Sequence, residues 1–310
     1  MNDIFCIVGP TATGKTKLSV ALAKQLDAEI VSCDSMQLYR GMDIGTAKPT
    51  KDEMGGIVHH MMDFLDPSEP YSVGRYVNHA DACVQDILSR GKRVIVVGGT
   101  GLYVDSLIAG RQFAPYPETG RREELTEIAR TQGIEVLMEQ LRAVDPDAAA
   151  RIPPANQKRV IRALEIYLET GKTMTEHDLE TKQLPDKYAP TWIGLDYVNR
   201  SALYARIDRR VEEMFAQGLE NEVRGLLERG IPADCTAMQA IGYKELTAYL
   251  RGEGTLEEAK ALICQGSRRY AKRQRTWFRR NEKIRWILLP DEPDFDAVLS
   301  EASDIVNRSV

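Results

Sequence analysis

The chain has 310 residues, of which 43% are apolar and 28% are charged, so it can bury a sizeable core and is neither disordered nor fibrous. It contains no uncharged apolar run of the roughly 18 residues that a membrane span needs, and its first residues lead directly into a strand-like segment, so we expect no membrane anchor and no signal peptide. Five scattered cysteines without a C-x-x-C pair argue against a disulfide framework and a zinc site, and therefore favour a cytoplasmic protein.

Positive charge is concentrated in one segment near the C-terminal end. The net charge is −5, yet residues 268–285 contain nine Lys or Arg and one acid, so this segment carries +8 and the rest of the chain −13. Such a stripe suits the docking of a polyanion at one place, as in nucleic-acid binding. The alternative is an ordinary solvated helix face.

The first part of the chain alternates apolar runs with helical patterns. Strands are predicted at 4–8, 29–32 and 93–97, with helices at 17–26 and 76–90. Because each predicted strand is almost wholly apolar, we expect a parallel sheet flanked by helices, in an α/β fold of the P-loop NTPase type.

The pattern changes near Pro115 to Pro117, after which the chain is helical and polar up to about Tyr188. We predict an inserted helical domain at 116–189, between the two parts of a catalytic core at 1–115 and 190–310. Within the second part we predict strands at 191–197 and 284–289. We also predict a long helix that begins at Ser201 and two further helices at 237–250 and 256–280.

A complete phosphate-loop motif follows the first strand and opens the first helix. It consists of Gly9, Pro10, Thr11, Ala12, Thr13, Gly14, Lys15 and Thr16. Backbone N–H groups and Lys15 would hold phosphate oxygens, and the Thr16 hydroxyl could ligate Mg²⁺; the alternative is a chance glycine-rich turn. The motif does not specify which pyrophosphate is bound, and the third strand runs into Gly98 without the metal-holding acid of an ATPase.

Asp34 follows the second strand directly, at the sheet edge where open α/β folds bind ligands. A carboxylate there could accept a proton from a nucleophile or hold Mg²⁺, and nearby Gln37 could donate to and accept from a base edge. The alternative is that Asp34 only caps a helix.

Several further blocks extend along nearly the whole chain in a fixed order. They are the phosphate loop, Asp34 to Gln37, Asp43 to Pro49, His59-His60, Gly98 to Tyr103, Lys158 to Glu165 and Met238 to Glu245. Together these blocks resemble the bacterial tRNA dimethylallyltransferases of the IPP transferase family.

The resemblance implies that the loop holds dimethylallyl pyrophosphate and not ATP, and that Asp34 is the base for an adenosine amine. It also implies an arginine, Arg206 or Arg210, on the leaving pyrophosphate, and binding of the anticodon stem-loop of tRNA through the inserted domain and other residues. The sequence does not specify the oligomeric state, and we expect a monomer. The implied tRNA contacts are Asp34, Ser35, Met36, Gln37, Thr100, Arg122, Lys158, Arg159, Val160, Ile161, Arg162, Gln239, Ala240, Ile241, Gly242, Tyr243 and Lys244.

Two further features have alternative interpretations. His59 and His60 are adjacent, so a structural role is favoured over metal binding. Tyr103 could line a channel for the prenyl group or belong to the core.

Competing functions are a small-molecule P-loop kinase, a free-adenylate isopentenyltransferase and a non-enzymatic RNA-binding module. The basic stripe disfavours the kinase, and the inserted domain disfavours the free-adenylate enzyme.

Overall fold

The computed structural model describes residues 3–111, 113, 119–182 and 185–308. Its strands are β1 (Ile4–Val8), β2 (Ala28–Ser32), β3 (His59–His60), β4 (Arg93–Gly98), β5 (Thr191–Tyr197) and β6 (Arg285–Leu289). Its α-helices are α1 (Lys15–Leu26), α2 (Lys51–Met54), α3 (Val73–Ser89), α4 (Gly101–Ala109), α5 (Arg121–Gln132), α6 (Ile134–Val144), α7 (Pro146–Arg151), α8 (Gln157–Thr170), α9 (Met174–Lys182), α10 (Arg200–Ala216), α11 (Leu219–Glu228), α12 (Tyr243–Leu250), α13 (Leu256–Phe278) and α14 (Phe295–Asn307).

The strands form one parallel sheet in the order β3-β2-β4-β1-β5-β6. β1 lies between β4 and β5, and its end at Val8 is level with Gly98 and Gly194. Because parallel strands end at one edge, the loops after β1, β2 and β4 come together there, as the apolar runs predicted.

The main core consists of strand residues and the inward faces of helices packed on the sheet. Phe5, Ile7 and Ile30 from the strands and Leu18 and Leu22 from α1 are almost completely buried. This packing places the start of α1, and with it the phosphate loop, firmly against the sheet.

Residues 111–186 form a separate compact unit with its own core. Leu137 and Leu141 of α6 and Val160 and Leu164 of α8 are buried in that core at the spacing of a helix face. The predicted start of the insertion, at Pro115 to Pro117, lies outside the described residues.

Some elements differ from the predicted ones. The helix predicted at 237–250 is a short 3₁₀ turn at Ala237–Gln239 followed by α12, because Gly242 adopts a φ of 98° that interrupts a helix. Strand β3 and helices α2, α4, α11 and α14 were not predicted. No helix of the described part of the chain is both long and apolar enough to cross a membrane.

Candidate active site

The phosphate loop is shaped by close backbone contact with the sheet. A Cβ atom on Gly9 would lie 2.2 Å from the Leu195 carbonyl oxygen, and φ of Gly9 is 142°, so only glycine fits there. Gly14 precedes α1 with a φ of 82°, which turns the loop into the first helical turn. The N–H groups of that turn therefore face outward with the positive end of the helix dipole.

Two cations meet at this loop. The Lys15 ammonium donates to the Pro10 carbonyl oxygen at 2.7 Å, and Arg210 of α10 donates to the Thr11 hydroxyl at 3.1 Å. Burial and the neighbouring Arg210 lower the pKa of Lys15 to about 7, and Asp34 opposes that shift. Burial also lowers the pKa of Arg210. An anion bound here would relieve the repulsion between the two cations.

Gln274 of α13 joins the phosphate loop to the loop after β4. Its side-chain oxygen accepts the Thr11 N–H at 2.9 Å, and its amide nitrogen donates to the Gly99 carbonyl oxygen at 3.0 Å. A Cβ atom on Gly99 would lie 2.1 Å from that nitrogen. A side chain at position 99 would therefore break this connection.

Asp34 lies in a turn at the carboxyl end of β2. Its Oδ1 accepts the N–H of Met36 at 2.8 Å and that of Gln37 at 3.4 Å, which fixes the carboxylate as an N-cap would, although no helix follows. Thr100 holds the same turn, because its hydroxyl oxygen accepts the Ser35 N–H at 3.1 Å. Burial and nearby Asp34 raise the pKa of Tyr270 to about 12, so this neighbour of Asp34 stays neutral.

Gln37 is engaged within the protein. Its oxygen accepts from the Ser32 hydroxyl at 3.1 Å, and its nitrogen donates to the Thr46 and Ala47 carbonyl oxygens at 3.3 Å. The predicted contact between Gln37 and a base edge would have to replace these bonds. In this structure the Gln37 side chain is hydrogen-bonded to the loop at 46–47 instead.

A cavity of about 270 Å³ opens between the phosphate loop, α10, α13 and the segment that precedes α12. Its polar end contains Thr11, Asp34, Arg210 and Tyr270. The rest of its lining includes the apolar side chains of Met36, Ile207, Val211, Met214, Leu219, Ile241 and Ile263, together with the polar residues Ser35, Thr46, Gln239, Ser267 and Arg273. The cavity can therefore hold an apolar group whose charged end lies on the phosphate loop.

The two candidate arginines of α10 face different cavities. Arg210 lines the cavity with Asp34, whereas Arg206 is exposed and lines a second cavity of about 680 Å³ on the other side of the phosphate loop. Lys17 and Arg209 also line the second cavity. The geometry therefore favours Arg210 over Arg206 beside the reacting group.

The segment 239–244 divides into cavity wall and core. Gln239, Ala240, Ile241 and Gly242 line the cavity, and Lys244 is exposed. Tyr243 is fully buried, so its side chain does not face solvent, and the predicted contact of this residue with tRNA stays a prediction. The 3.6-residue period that continues into α12 could have indicated this.

In the separate unit, α8 has an exposed basic end and a buried face. Lys158 and Arg159 are exposed, but Val160 and Ile161 are 0% and 7% exposed and pack in the core. The side chains of Val160 and Ile161 therefore do not face solvent, and the predicted contact of this segment with tRNA stays a prediction. Arg122 of α5 and Arg162 of α8 both donate to Glu165 at 2.7 Å, so these two arginines lie close together.

The basic stripe is only partly available to a partner. Arg268 Nη1 donates to both carboxylate oxygens of Asp208 at 2.7 Å, and Arg275 donates to buried Asp196 at 2.8 Å. Arg269 and Lys272 are exposed on the same helix. Part of the stripe therefore fastens α13 to the core, and part faces solvent.

The histidine pair and Tyr103 have local partners. His60 bonds to Glu29 at 2.7 Å, and His59 bonds to the Ile57 carbonyl oxygen at 2.9 Å. Tyr103 stacks on Tyr76 with ring centroids 4.1 Å apart and does not line the cavity. Tyr103 therefore has a core role.

Comparisons with known proteins identify related families. A family model described as IPP transferase matches residues 37–281, and one described as isopentenyl transferase matches residues 2–64. A tRNA dimethylallyltransferase of Geobacillus thermodenitrificans is 50% identical over 97% of this chain and 95% of its own length. One of Caldanaerobacter subterraneus is 47% identical over 95% and 94%.

Solved structures show the same fold. The full-length tRNA isopentenylpyrophosphate transferase of Bacillus halodurans has a TM-score of 0.73 at 44% identity, and the match covers 99% of this chain and 96% of that one. A eukaryotic dimethylallyltransferase acting on tRNA has a TM-score of 0.82 at 28% identity, and the match covers 99% and 80%.

The parallel sheet, the phosphate loop without a metal-holding acid on β4, and the carboxylate beside an apolar cavity define a P-loop transferase. The matches extend over almost the whole chain and include both parts of the sheet. The chain belongs to the IPP transferase family.

Proposed function

We propose that this protein is a tRNA dimethylallyltransferase. It transfers the dimethylallyl group from dimethylallyl pyrophosphate to the N6 amine of the adenosine 3′ of the anticodon, position 37, in tRNAs that read codons beginning with U. The observation that carries this proposal is one cavity that joins the phosphate loop, Asp34 and an apolar wall. The family membership of the chain supports the same reaction.

The pyrophosphate would lie on the phosphate loop, with the five-carbon group in the apolar part of the cavity. Lys15, Arg210 and the N–H groups at the start of α1 then stabilise the charge that develops on the leaving group. The bond between the allylic carbon and the pyrophosphate oxygen breaks, and its electron pair leaves with pyrophosphate. This is the step for which the paired cations are placed.

The adenine amine attacks the same allylic carbon. Its nitrogen lone pair forms the new N–C bond, and Asp34 accepts the proton that the nitrogen loses. Asp34 is already fixed by the N–H of Met36, so its carboxylate does not need to be ordered by the substrate. The products are N6-isopentenyladenosine and pyrophosphate.

Thr16 fits the Mg²⁺ that the motif implies. Its hydroxyl lies in the first turn of α1, beside Lys15, and is only partly buried. Oxygen ligands of this kind suit Mg²⁺, which would add positive charge against the pyrophosphate when bound.

RNA recognition is assigned to the exposed cations. Lys158 and Arg159 of α8, Lys244, and Arg269 and Lys272 of α13 are exposed and can meet phosphates. The target adenine must leave the loop stack to reach Asp34. Gln239 to Gly242 and Thr100 would then contact the flipped adenine or its neighbouring nucleotides.

We also predict that the protein is a monomer and that it is located in the cytoplasm.

The test is to incubate the protein and Mg²⁺ with an anticodon stem-loop and either dimethylallyl pyrophosphate or ATP, in parallel reactions. The molecular mass of the RNA is then measured by mass spectrometry. We expect one C₅H₈ unit to be added only with the prenyl donor. A stem-loop with guanosine 3′ of the anticodon is the control, and AMP as acceptor tests the free-adenylate alternative. Phosphate transfer from ATP with no prenylated RNA would instead support a kinase.

A further inference from the structure

Glu222 of α11 accepts hydrogen bonds from several donors in the loop after β2. Its carboxylate accepts the backbone N–H groups of three consecutive residues: Asp43 at 2.8 Å, Ile44 at 2.8 Å and Gly45 at 3.1 Å. The Tyr243 hydroxyl donates a fourth bond at 2.6 Å. Charge-assisted bonds of this kind are strong, so the carboxylate fixes α11, this loop and the start of α12 to one another.

Tyr243 strengthens this connection by packing as well as by hydrogen bonding. Its side chain is fully buried, and a Cβ atom on Gly45 would lie 2.5 Å from its ring. Burial and the nearby Glu222 carboxylate raise the pKa of Tyr243, so its hydroxyl remains a donor. The loop therefore lies directly on the ring that Glu222 holds.

The far end of the same loop is attached to the turn that contains Asp34. The Gln37 amide donates to the carbonyl oxygens of Thr46 and Ala47 at 3.3 Å, and the Gln37 N–H faces Asp34 Oδ1 at 3.4 Å. Residues 43–47 are thus held by Glu222 at one end and by Gln37 at the other.

The parts that Glu222 joins are walls of the cavity. Gly45 and Thr46 of the loop, Leu219 of α11, and Ile241 and Gly242 before α12 all line it. We propose that Glu222 is a positioning residue that sets the distance between these walls and the Asp34 turn, and so the place of the acceptor adenine. This proposal rests on the proposed transferase function.

The phosphate loop is held by other contacts. Gln274 and Arg210 bind Thr11, and neither contacts Glu222 or the loop at 43–47 in the described hydrogen bonds. Loss of the Glu222 carboxylate should therefore affect the acceptor side and spare the donor side. Because small misplacements of reacting groups are costly, we expect kcat/KM for the RNA to fall about tenfold or more.

The experiment compares Glu222→Gln and Tyr243→Phe with wild type in steady-state prenylation of the stem-loop, varying each substrate in turn. We expect Glu222→Gln to lose kcat/KM for RNA while KM for dimethylallyl pyrophosphate changes by less than about twofold, and Tyr243→Phe to show a smaller loss in the same direction. The matched control is Glu220→Gln on the same helix, because Glu220 pairs only with Arg224 among the described ion pairs.

Calorimetric binding of dimethylallyl pyrophosphate without RNA shows whether the variants keep a folded donor site. Equal loss of donor binding and RNA turnover in both variants would overturn the positioning role, since a general structural defect acts on both. An active wild type with unchanged variants would overturn it as well. An inactive wild type would refute the transferase function itself.

Discussion

The side-chain oxygen of Gln274 accepts the N–H of Thr11 at 2.9 Å, so a buried residue of α13 is bonded directly to the phosphate loop. Gln274 is 5% exposed, and its amide nitrogen donates to the Gly99 carbonyl oxygen. The helix that presents Arg269 and Lys272 to solvent thus carries on its inner face a residue that shapes the donor site. This arrangement links the proposed RNA-binding surface to the pyrophosphate site through one side chain.

Replacing Gln274 should weaken the donor site. Gln274→Leu leaves the Thr11 N–H and the Gly99 carbonyl oxygen without their partners, and unpaired buried groups cost about 1 to 3 kcal/mol. We expect a lower thermal midpoint and roughly tenfold weaker binding of dimethylallyl pyrophosphate by calorimetry. Thr276→Ala on the exposed face of α13 is the control. Unchanged donor binding in Gln274→Leu would contradict the assigned role.

Asp34→Asn should separate catalysis from binding. Asparagine keeps an oxygen that can accept the Met36 N–H, so the turn survives, but it cannot take a proton from the adenine amine. We expect kcat to fall about 10²-fold or more while the affinity for the stem-loop changes little. Single-turnover rates at saturating donor measure the chemical step. A turnover within a few-fold of wild type would exclude Asp34 as the base.

The exposed part of the basic stripe should determine the salt dependence of RNA binding. Arg269→Glu with Lys272→Glu removes two cations that face solvent, so the slope of log affinity against log salt should become shallower by about 1 to 2. The control is Lys51→Glu with Arg308→Glu, an equal charge change at two other exposed positions. Equal slopes in the two variants would show that α13 is only a solvated face. Arg268 is unsuitable for this test, because its guanidinium is paired with Asp208.

Glu29 offers a stability test on the sheet. Its side chain is buried, and hydrogen bonds from Arg90 at 2.6 and 2.8 Å, with His60 in addition, lower its pKa to about 2. Because the pKa is lower in the folded state, this stabilisation is present above the unfolded pKa near 4.5 and is lost as the pH falls towards 2.

Glu29→Gln should therefore lower the free energy of unfolding by about 2 kcal/mol at pH 7, and by less at pH 3.5. Denaturant titrations at the two pH values measure this difference. Asp86→Asn is the matched control, since Asp86 also pairs with Arg90 but is exposed and should contribute less than about 0.5 kcal/mol. A loss that does not depend on pH would contradict this assignment.

The sequence was informative wherever the signal is local. The phosphate loop and Asp34 lie at the predicted sheet edge because apolar runs identify parallel strands, and each motif follows its own strand. The pairing of Gln274 with Thr11 joins residues 263 positions apart, and no periodicity reports such a contact. The bonds between Glu222 and the loop at 43–45 are also long-range contacts that no sequence pattern indicates.

The sequence blocks were each predicted as one surface, but their side chains differ in exposure. The block at 158–162 contains exposed Lys158 and buried Val160, because consecutive helix residues point in different directions. A helical period applied within the block would have separated the two. The choice between Arg206 and Arg210 needed the loop geometry, since both lie on α10 one turn apart and only Arg210 meets Thr11.

Lys15 should make pyrophosphate binding depend on pH. Its pKa of about 7 means that the free site loses this positive charge as the pH rises above 7. A bound pyrophosphate favours the charged form and raises the pKa, so binding at pH 8 should take up protons. Affinity should accordingly fall with rising pH, by up to about tenfold per unit, until the pKa of the bound state is reached.

The measurement is calorimetry of dimethylallyl pyrophosphate binding at pH 8 in buffers of different ionisation enthalpy, which counts the protons taken up. Lys15→Arg is the control, because a guanidinium stays charged throughout this range and should show only the protons exchanged by the ligand itself. An equal proton count for wild type and Lys15→Arg would mean that Lys15 is already charged in the free site. Burial and the neighbouring Arg210 would then lower the pKa of Lys15 too little to set the pH dependence of donor binding.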